Sequence, residues 1–152
     1  MKSGSTEIDG IVLRLLGPDD RDVLDTVAPD VFDDPLRTEW TEEFLADPRH
    51  HIVVALERQT VVGFVSGVHY VHPDKPPELF VVELGVAPSH RRRHIATALF
   101  SALLDEGRRL GCREAWVPTE AENGLARVFY DSLEGHAGPA PVVHYSFALD
   151  ED

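Results

Sequence analysis

One cysteine, Cys112, stands in 152 residues, so no disulfide can form within the chain. That fits a reducing compartment, the cytoplasm, and the thiol itself reads as a small, partly buried residue at a strand start. Positive charge is also scarce. Lys and Arg number 14 against 27 Asp and Glu, for a formal net charge of −13. A nucleic-acid partner needs an extended basic face, which this balance excludes, whereas a cationic partner suits it. No apolar run has the length to cross a bilayer, so no membrane partner is expected. Residues 1–10 (MKSGSTEIDG) hold no apolar stretch of the kind a secretory signal requires and read as a flexible lead-in. There is no internal repeat, no Gly-x-Ser-x-Gly, no kinase-type phosphate loop and no cysteine cluster. His69, His72 and His144 lack metal-ligand spacing, so no metal is expected, and His50 and His51 read as surface residues.

Hydrophobic residues make up 43% of the chain, enough for one globular domain over residues 11–150. Residues 11–16 (IVLRLL) predict a first strand, and residues 20–27 a short helix after the Gly17-Pro18 turn. Residues 29–37 (PDVFDDPLR) are acidic, carry two prolines and read as loop. Residues 41–45 supply a short helix stopped by Asp47-Pro48. Residues 51–57 and 61–71 predict a hairpin joined through Arg58, Gln59 and Thr60. Gly63 and Gly67 in its second arm imply a bend or a close backbone approach.

After a proline-rich loop, residues 79–86 (LFVVELGV) are nearly all apolar, as a central strand covered on both faces would be. The next helix sets Ile95, Ala98, Leu99, Ala102, Leu103 and Leu110 along one stripe and ends at Gly111. Residues 114–118 predict a fifth strand. Residues 123–133 predict a helix capped by Asn123, with Leu125, Val128, Phe129 and Leu133 facing inward. Residues 142–149 predict a final strand. Strands and helices alternate after an antiparallel opening, so the class is α/β with a mixed sheet.

The most informative stretch is residues 83–104, ELGVAPSHRRRHIATALFSALL. An apolar strand runs into a turn, three consecutive arginines and an amphipathic helix. The first N–H groups of a helix have no internal partners and sit at the positive end of its dipole, so this loop can seat a pyrophosphate.

These residues resemble the GCN5-related N-acetyltransferase (GNAT) superfamily. Its leading motif is a strand, a turn with proline, an Arg/Gln-x-x-Gly-x-Gly/Ala loop and a helix. Here it reads Val86-Ala87-Pro88, then Arg91-Arg92-Arg93-His94-Ile95-Ala96, with His94 where the family places glycine. Its second motif, an asparagine heading a helix with an aromatic pair, is matched by Asn123 through Phe129-Tyr130. Within the superfamily the chain is most similar to type I aminoglycoside 3-N-acetyltransferases. The shared features are SHRRRHIATAL, the acidic residue before Leu84-Gly85-Val86, the segment Phe32-Asp33-Asp34-Pro35 and Tyr130. The resemblance implies a mostly antiparallel sheet of six to seven strands, about four flanking helices, and a splay between the fourth and fifth strands.

It also implies acetyl-CoA as cofactor and a small cationic amine, an aminoglycoside first of all, as acceptor, with antibiotic resistance as the role and a homodimer as the assembly. Leu84, Gly85 and Val86 would pair with the pantetheine arm. Arg91, Arg92, Arg93, His94, Ile95, Ala96 and Thr97 would hold the pyrophosphate. Asn123, Ala126 and Phe129 would also contact the cofactor. Glu83, a carboxylate in an apolar strand, would be the general base, and Tyr130 the acid that protonates the leaving sulfur. Asp33, Asp34, Glu120 and Glu122 would form an acidic rim for the acceptor. Two other readings stay open: a peptide or protein N-acetyltransferase, and a non-catalytic acyl-CoA-binding module.

Overall fold

Asp9 and Gly10 both hold positive φ, 49° and 79°. That is the two-residue turn whose twist matches a hairpin, and it joins β1 (Glu7–Ile8) to β2 (Ile11–Leu15). The last residues of the segment expected to be a lead-in thus form part of a hairpin. The computed structural model describes residues 7–91 and 93–150. The chain divides into two compact units, Met1–Val117 and Pro118–Asp152.

In the first unit β2 pairs antiparallel with β3 (His50–Glu57), β3 with β4 (Thr60–Tyr70), and β4 with β5 (Glu78–Val86). Among the described strands, β6 (Glu114–Trp116) alone lies parallel to its neighbour, β5. The mixed, mostly antiparallel sheet is as expected. Its count is five full strands and the two-residue β1 at the edge. The helices among the described residues are α1 (Thr38–Ala46), α2 (Ile95–Arg109) and α3 (Gly124–Ser132), with short 3₁₀ turns at Arg21–Asp25 and Pro88–His90. Three α-helices replace the four expected, because residues 20–27 close only a 3₁₀ turn.

Helix α2 covers one face of the sheet, and its apolar stripe explains why. Ile95, Leu99 and Leu103 are buried against β3, β4 and β5, and each fully buried Leu contributes about 1.5–3 kcal/mol. Gly63 and Gly67 permit the contact. A Cβ at Gly63 would stand 3.2 Å from Leu99, and one at Gly67 would stand 3.2 Å from Leu103 and 2.9 Å from the Phe80 carbonyl. The expected close approach is therefore helix against strand. Gly111, at φ 89°, and the bonds from its own N–H and that of Cys112 back into the last turn end α2.

His51 was expected at the surface but is buried, because alternation along β3 turns it toward α2. Its Nε2 lies 2.7 Å from His69 Nδ1, one ring donating and the other accepting. Burial, then His69, lowers the His51 pKa from 6.5 to about 4; His50 and Arg109 add to the shift and Glu106 opposes it. The unfolded chain therefore binds the extra proton first. Stability is expected to fall as pH drops from about 6.5 toward 4, by on the order of 2 kcal/mol from this ring. Thermal melts of the wild type and a His51→Gln variant across that range test this: the variant must show a shallower slope.

The second unit holds α3. Asn123 caps it, its Oδ1 accepting from the Ala126 N–H at 3.1 Å. The N–H groups of Glu134 and Gly135 close the other end on the carbonyls of Asp131 and Tyr130. Within this unit Leu125 and Val128, expected to face inward, are 88% and 69% exposed. Residues 142–149, expected as a final strand, form none among the described residues.

Candidate active site

Glu83 reaches the surface through an irregularity in β5. Across the β4–β5 ladder Gly67 pairs with Val81 and Ser66 with Glu83, so Val82 is an extra residue, a bulge. Before it, Leu79 and Val81 are buried under α2. After it, Val82 and Glu83 are both exposed. The strand expected to be covered on both faces is buried only on its α2 side, at Leu79 and Val81, while Glu78 and Phe80 on the other side are half-buried.

The bulge lies just past the point where β6 leaves β5. Parallel pairing joins Glu78, Leu79 and Phe80 to Glu114, Ala115 and Trp116, and then stops. Pro118, two residues on, has no N–H to offer. From Val81 to Val86 the β6-side edge of β5 has no strand paired with it among the described residues. Main-chain groups around Leu84, Gly85 and Val86 are therefore free to pair with an extended ligand.

An acidic segment is fixed beside Glu83. Gly85 has no side chain, and the Val31 carbonyl approaches within 2.5 Å of where a Cβ would stand. Phe32 stacks on Phe64 with ring centroids 4.0 Å apart. These contacts bring Asp33 and Asp34 close enough to act on Glu83, whose carboxyl is raised above its usual pKa by desolvation first and by Asp33 and Asp34 next. Phe32, Asp33, Asp34, Pro35 and Leu36 also line an open cleft of about 290 Å³. Glu83, Asp33 and Asp34 are thus near enough to interact electrostatically.

The arginine loop is only partly as expected. Arg93 turns away to Glu57 Oε2 at 3.5 Å and to the Asp9 carbonyl at 3.3 Å. Its side chain, expected at the phosphates, here anchors the loop to β3. His90 Nε2, 3.2 Å from Glu57 Oε1, completes that anchor, and its hydrogen bond is the chief reason the Glu57 carboxyl titrates low. Arg91 is exposed, and Arg92 lies outside the described residues. No side chain caps α2, so the N–H groups of Ile95, Ala96 and Thr97 remain open to an anion.

His94 sits at φ 62°, in the left-handed region where glycine is favoured. A side chain there costs about 1 kcal/mol. Changing His94 to Gly is expected to raise the melting temperature by about 2–4 °C and to tighten coenzyme A binding. Differential scanning and titration calorimetry read both; a lower melting temperature with weaker binding would reverse the interpretation.

In the second unit, Tyr130 packs edge-on to Phe129 with centroids 5.3 Å apart, and burial raises its pKa, keeping the phenol protonated. Asn123 uses its amide oxygen as the helix cap, and its NH₂ remains to donate to a ligand. Ala126 is half-buried. Glu120 and Glu122 are exposed in the turn before α3, their carbonyls accepting from Asn123 and Gly124. Cys112 is partly buried, and burial followed by Glu78 raises its pKa, which makes it a poor nucleophile. No group of three or more His, Cys, Asp or Glu among the described residues could hold a metal ion.

A family model described as acetyltransferase (GNAT) matches residues 20–134. The chain belongs to the GNAT family. This GNAT protein is 32% identical over 78 residues to L-2,4-diaminobutyric acid acetyltransferase of Oceanobacillus iheyensis, a match spanning 51% of this chain and 41% of that enzyme. Its fold is similar to that of an aminoglycoside acetyltransferase, meta-AAC0020, from an uncultured soil metagenomic sample, solved with sisomicin. That likeness has a TM-score of 0.78 at 18% identity over 93% of this chain and 98% of the other. It is also similar to AAC(6')-Iy in complex with the bisubstrate analogue CoA-S-monomethyl-acetylneamine, with a TM-score of 0.74 at 22% identity over 91% and 98% of the two chains. A fold shared with a 6′ enzyme does not select the 3-N position that the sequence suggested.

Acetyl-CoA is the acyl donor of the GNAT acetyltransferase family to which the chain belongs. The residues present fit it: an uncapped α2 start follows a left-handed residue, and half of β5 has an open edge. No helix among the described residues is long and apolar enough to cross a membrane.

Proposed function

We propose that this acetyltransferase acts on an amine of a small polycationic acceptor, with aminoglycosides the first candidates and antibiotic resistance the role that follows. The observation that carries the reading is the grouping of Glu83, Asp33 and Asp34 at the bulge, on the unpaired half of β5. Three carboxylates in one place attract an ammonium group, and their mutual repulsion makes Glu83 a stronger base.

Acetyl-CoA supplies an activated acetyl group as a thioester. The open N–H groups of α2 and the Arg91 side chain hold its phosphates, and main chain from Leu84 to Val86 holds the arm. Glu83 takes a proton from the bound ammonium, directly or through one water, freeing the lone pair for attack. A β5 N–H on the unpaired edge would supply the donor that negative charge developing on the thioester oxygen needs. The Tyr130 phenol would donate its proton to the departing sulfur and be restored by the second proton that the nitrogen sheds as the amide forms. Exposed Glu120 and Glu122 extend the attraction for a polycation.

A cytoplasmic setting and a homodimer belong to the same proposal. An amine panel with acetyl-CoA, read by thiol release, tests it. Turnover on aminoglycosides well above that on diamino acids and peptide N-termini supports the reading. Preference for peptides contradicts it. Mass analysis of the product separates 3-N from 6′ acetylation.

A further inference from the structure

The face of the sheet that carries Glu83 continues well beyond it. Odd-numbered residues of β4 face α2, as the contacts of Gly63 and Gly67 with Leu99 and Leu103 require. Even-numbered ones face the other way, as the Phe64–Phe32 stack shows. Directly paired residues in an antiparallel ladder share a face. Glu83, opposite Ser66, and Phe80, opposite Val68, therefore lie on the side away from α2.

Phe80 there stacks on Trp116 with centroids 4.5 Å apart. Trp116 Nε1 donates to Tyr70 Oη at 2.5 Å, and Tyr70 Oη donates to Glu78 Oε2 at 2.6 Å. His72 packs edge-on against Tyr70, with its Nε2 3.7 Å from Glu78 Oε1. This network fixes the indole from both ends. Even so, Trp116 stays 42% exposed, which is unusual for a ring held so firmly. With β4 as the ruler, Phe80 lies about 7 Å and Glu78 about 13 Å along the face from Glu83.

We propose that Phe80 and Trp116, braced by Tyr70 and Glu78, form the distal wall of the acceptor site, taking the saturated ring of a polycationic amine whose other end lies at Glu83. The inference rests on the amine-acceptor reading above and deepens it. An aromatic face backed by carboxylates favours the aliphatic face of a ring that carries ammonium groups, through contact with its C–H groups and through cation–π attraction. Glu114, exposed beside the indole, adds to the negative potential. A short diamine bound at Glu83 ends before it reaches the wall. The wall therefore selects acceptors of two rings over short ones, and Trp116 acts on acceptor binding while the chemical step stays with Glu83.

Steady-state kinetics with neamine as the two-ring probe and 1,3-diaminopropane as the short one tests this, alongside titration calorimetry of neamine in the presence of coenzyme A. Trp116→Ala is expected to lower kcat/KM for neamine about tenfold more than for diaminopropane, through KM, with a matching rise in the neamine Kd. Trp116→Phe, which keeps a ring on Phe80, is expected to recover most of the loss. Equal losses for both probes, or an unaltered neamine Kd in Trp116→Ala, overturn the inference. A wild type that binds neamine in a Trp116-dependent way but acetylates no amine supports the wall while refuting the proposed function.

Discussion

Replacing Glu83 by Gln is expected to lower kcat/KM for a good acceptor amine by about 100-fold or more, the range a positioned general base contributes. The change is nearly isosteric, so the bulge at Val82 and the neighbouring Asp33 and Asp34 stay in place. The pH profile carries the sharper expectation. The Glu83 carboxyl is raised by desolvation and by the two aspartates, and once protonated it can no longer accept the amine's proton. Wild-type activity therefore falls as pH drops through that raised value. The Gln variant loses this limb and keeps only the pH dependence of the amine itself. Undiminished turnover in the variant, or an unchanged acid limb, removes Glu83 from the base's role.

Gly85→Ala is the second large expectation. An alanine Cβ would stand 2.5 Å from the Val31 carbonyl and 3.0 Å from Phe64 Cε1. A backbone oxygen cannot rotate away as a flexible side chain can, so the segment from Val31 to Asp34 has to move. Overpacking of this kind costs about 2 kcal/mol, which corresponds to a melting temperature about 4–8 °C lower for a chain of this size. The same movement unseats the Phe32–Phe64 stack and carries Asp33 and Asp34 away from Glu83. The acceptor KM is expected to rise about tenfold, and the acid limb of activity to shift to lower pH as the repulsion on Glu83 weakens. A variant with wild-type melting temperature and wild-type KM would show that the close approach does not hold the acidic segment.

What could be read from sequence followed local chemistry. The amphipathic stripe from Ile95 to Leu103, the Gly111 stop and the Asn123 cap each depend on a few adjacent residues, and each is found where expected. Gly63 and Gly67 announced a close approach without saying to what. The bulge at Val82 could not be read, because it exists only in the register between β4 and β5, which no residue of β5 specifies alone. Burial of His51 likewise follows from which face of β3 meets α2. Tyr70 and Trp116 are 46 residues apart and meet only through the order of the strands.

Some signals were present but outweighed. Asp9-Gly10 is a strong hairpin turn, yet it stood in a polar segment that read as a lead-in. Residues 142–149 have the composition of a strand, but composition does not supply a partner edge, and without one no ladder forms. Arg93 carries the charge expected of a phosphate ligand. Glu57, brought alongside by the fold, pairs with that charge at 3.5 Å.

A crystal structure of the protein with coenzyme A bound tests the central claim most directly. The account expects the pyrophosphate against the N–H groups of residues 95–97 and the pantetheine arm paired with the main chain of β5 beyond Phe80, its sulfur next to the bulge at Val82. Coenzyme A bound away from that edge, or an edge from Val81 to Val86 closed by another strand, would contradict it.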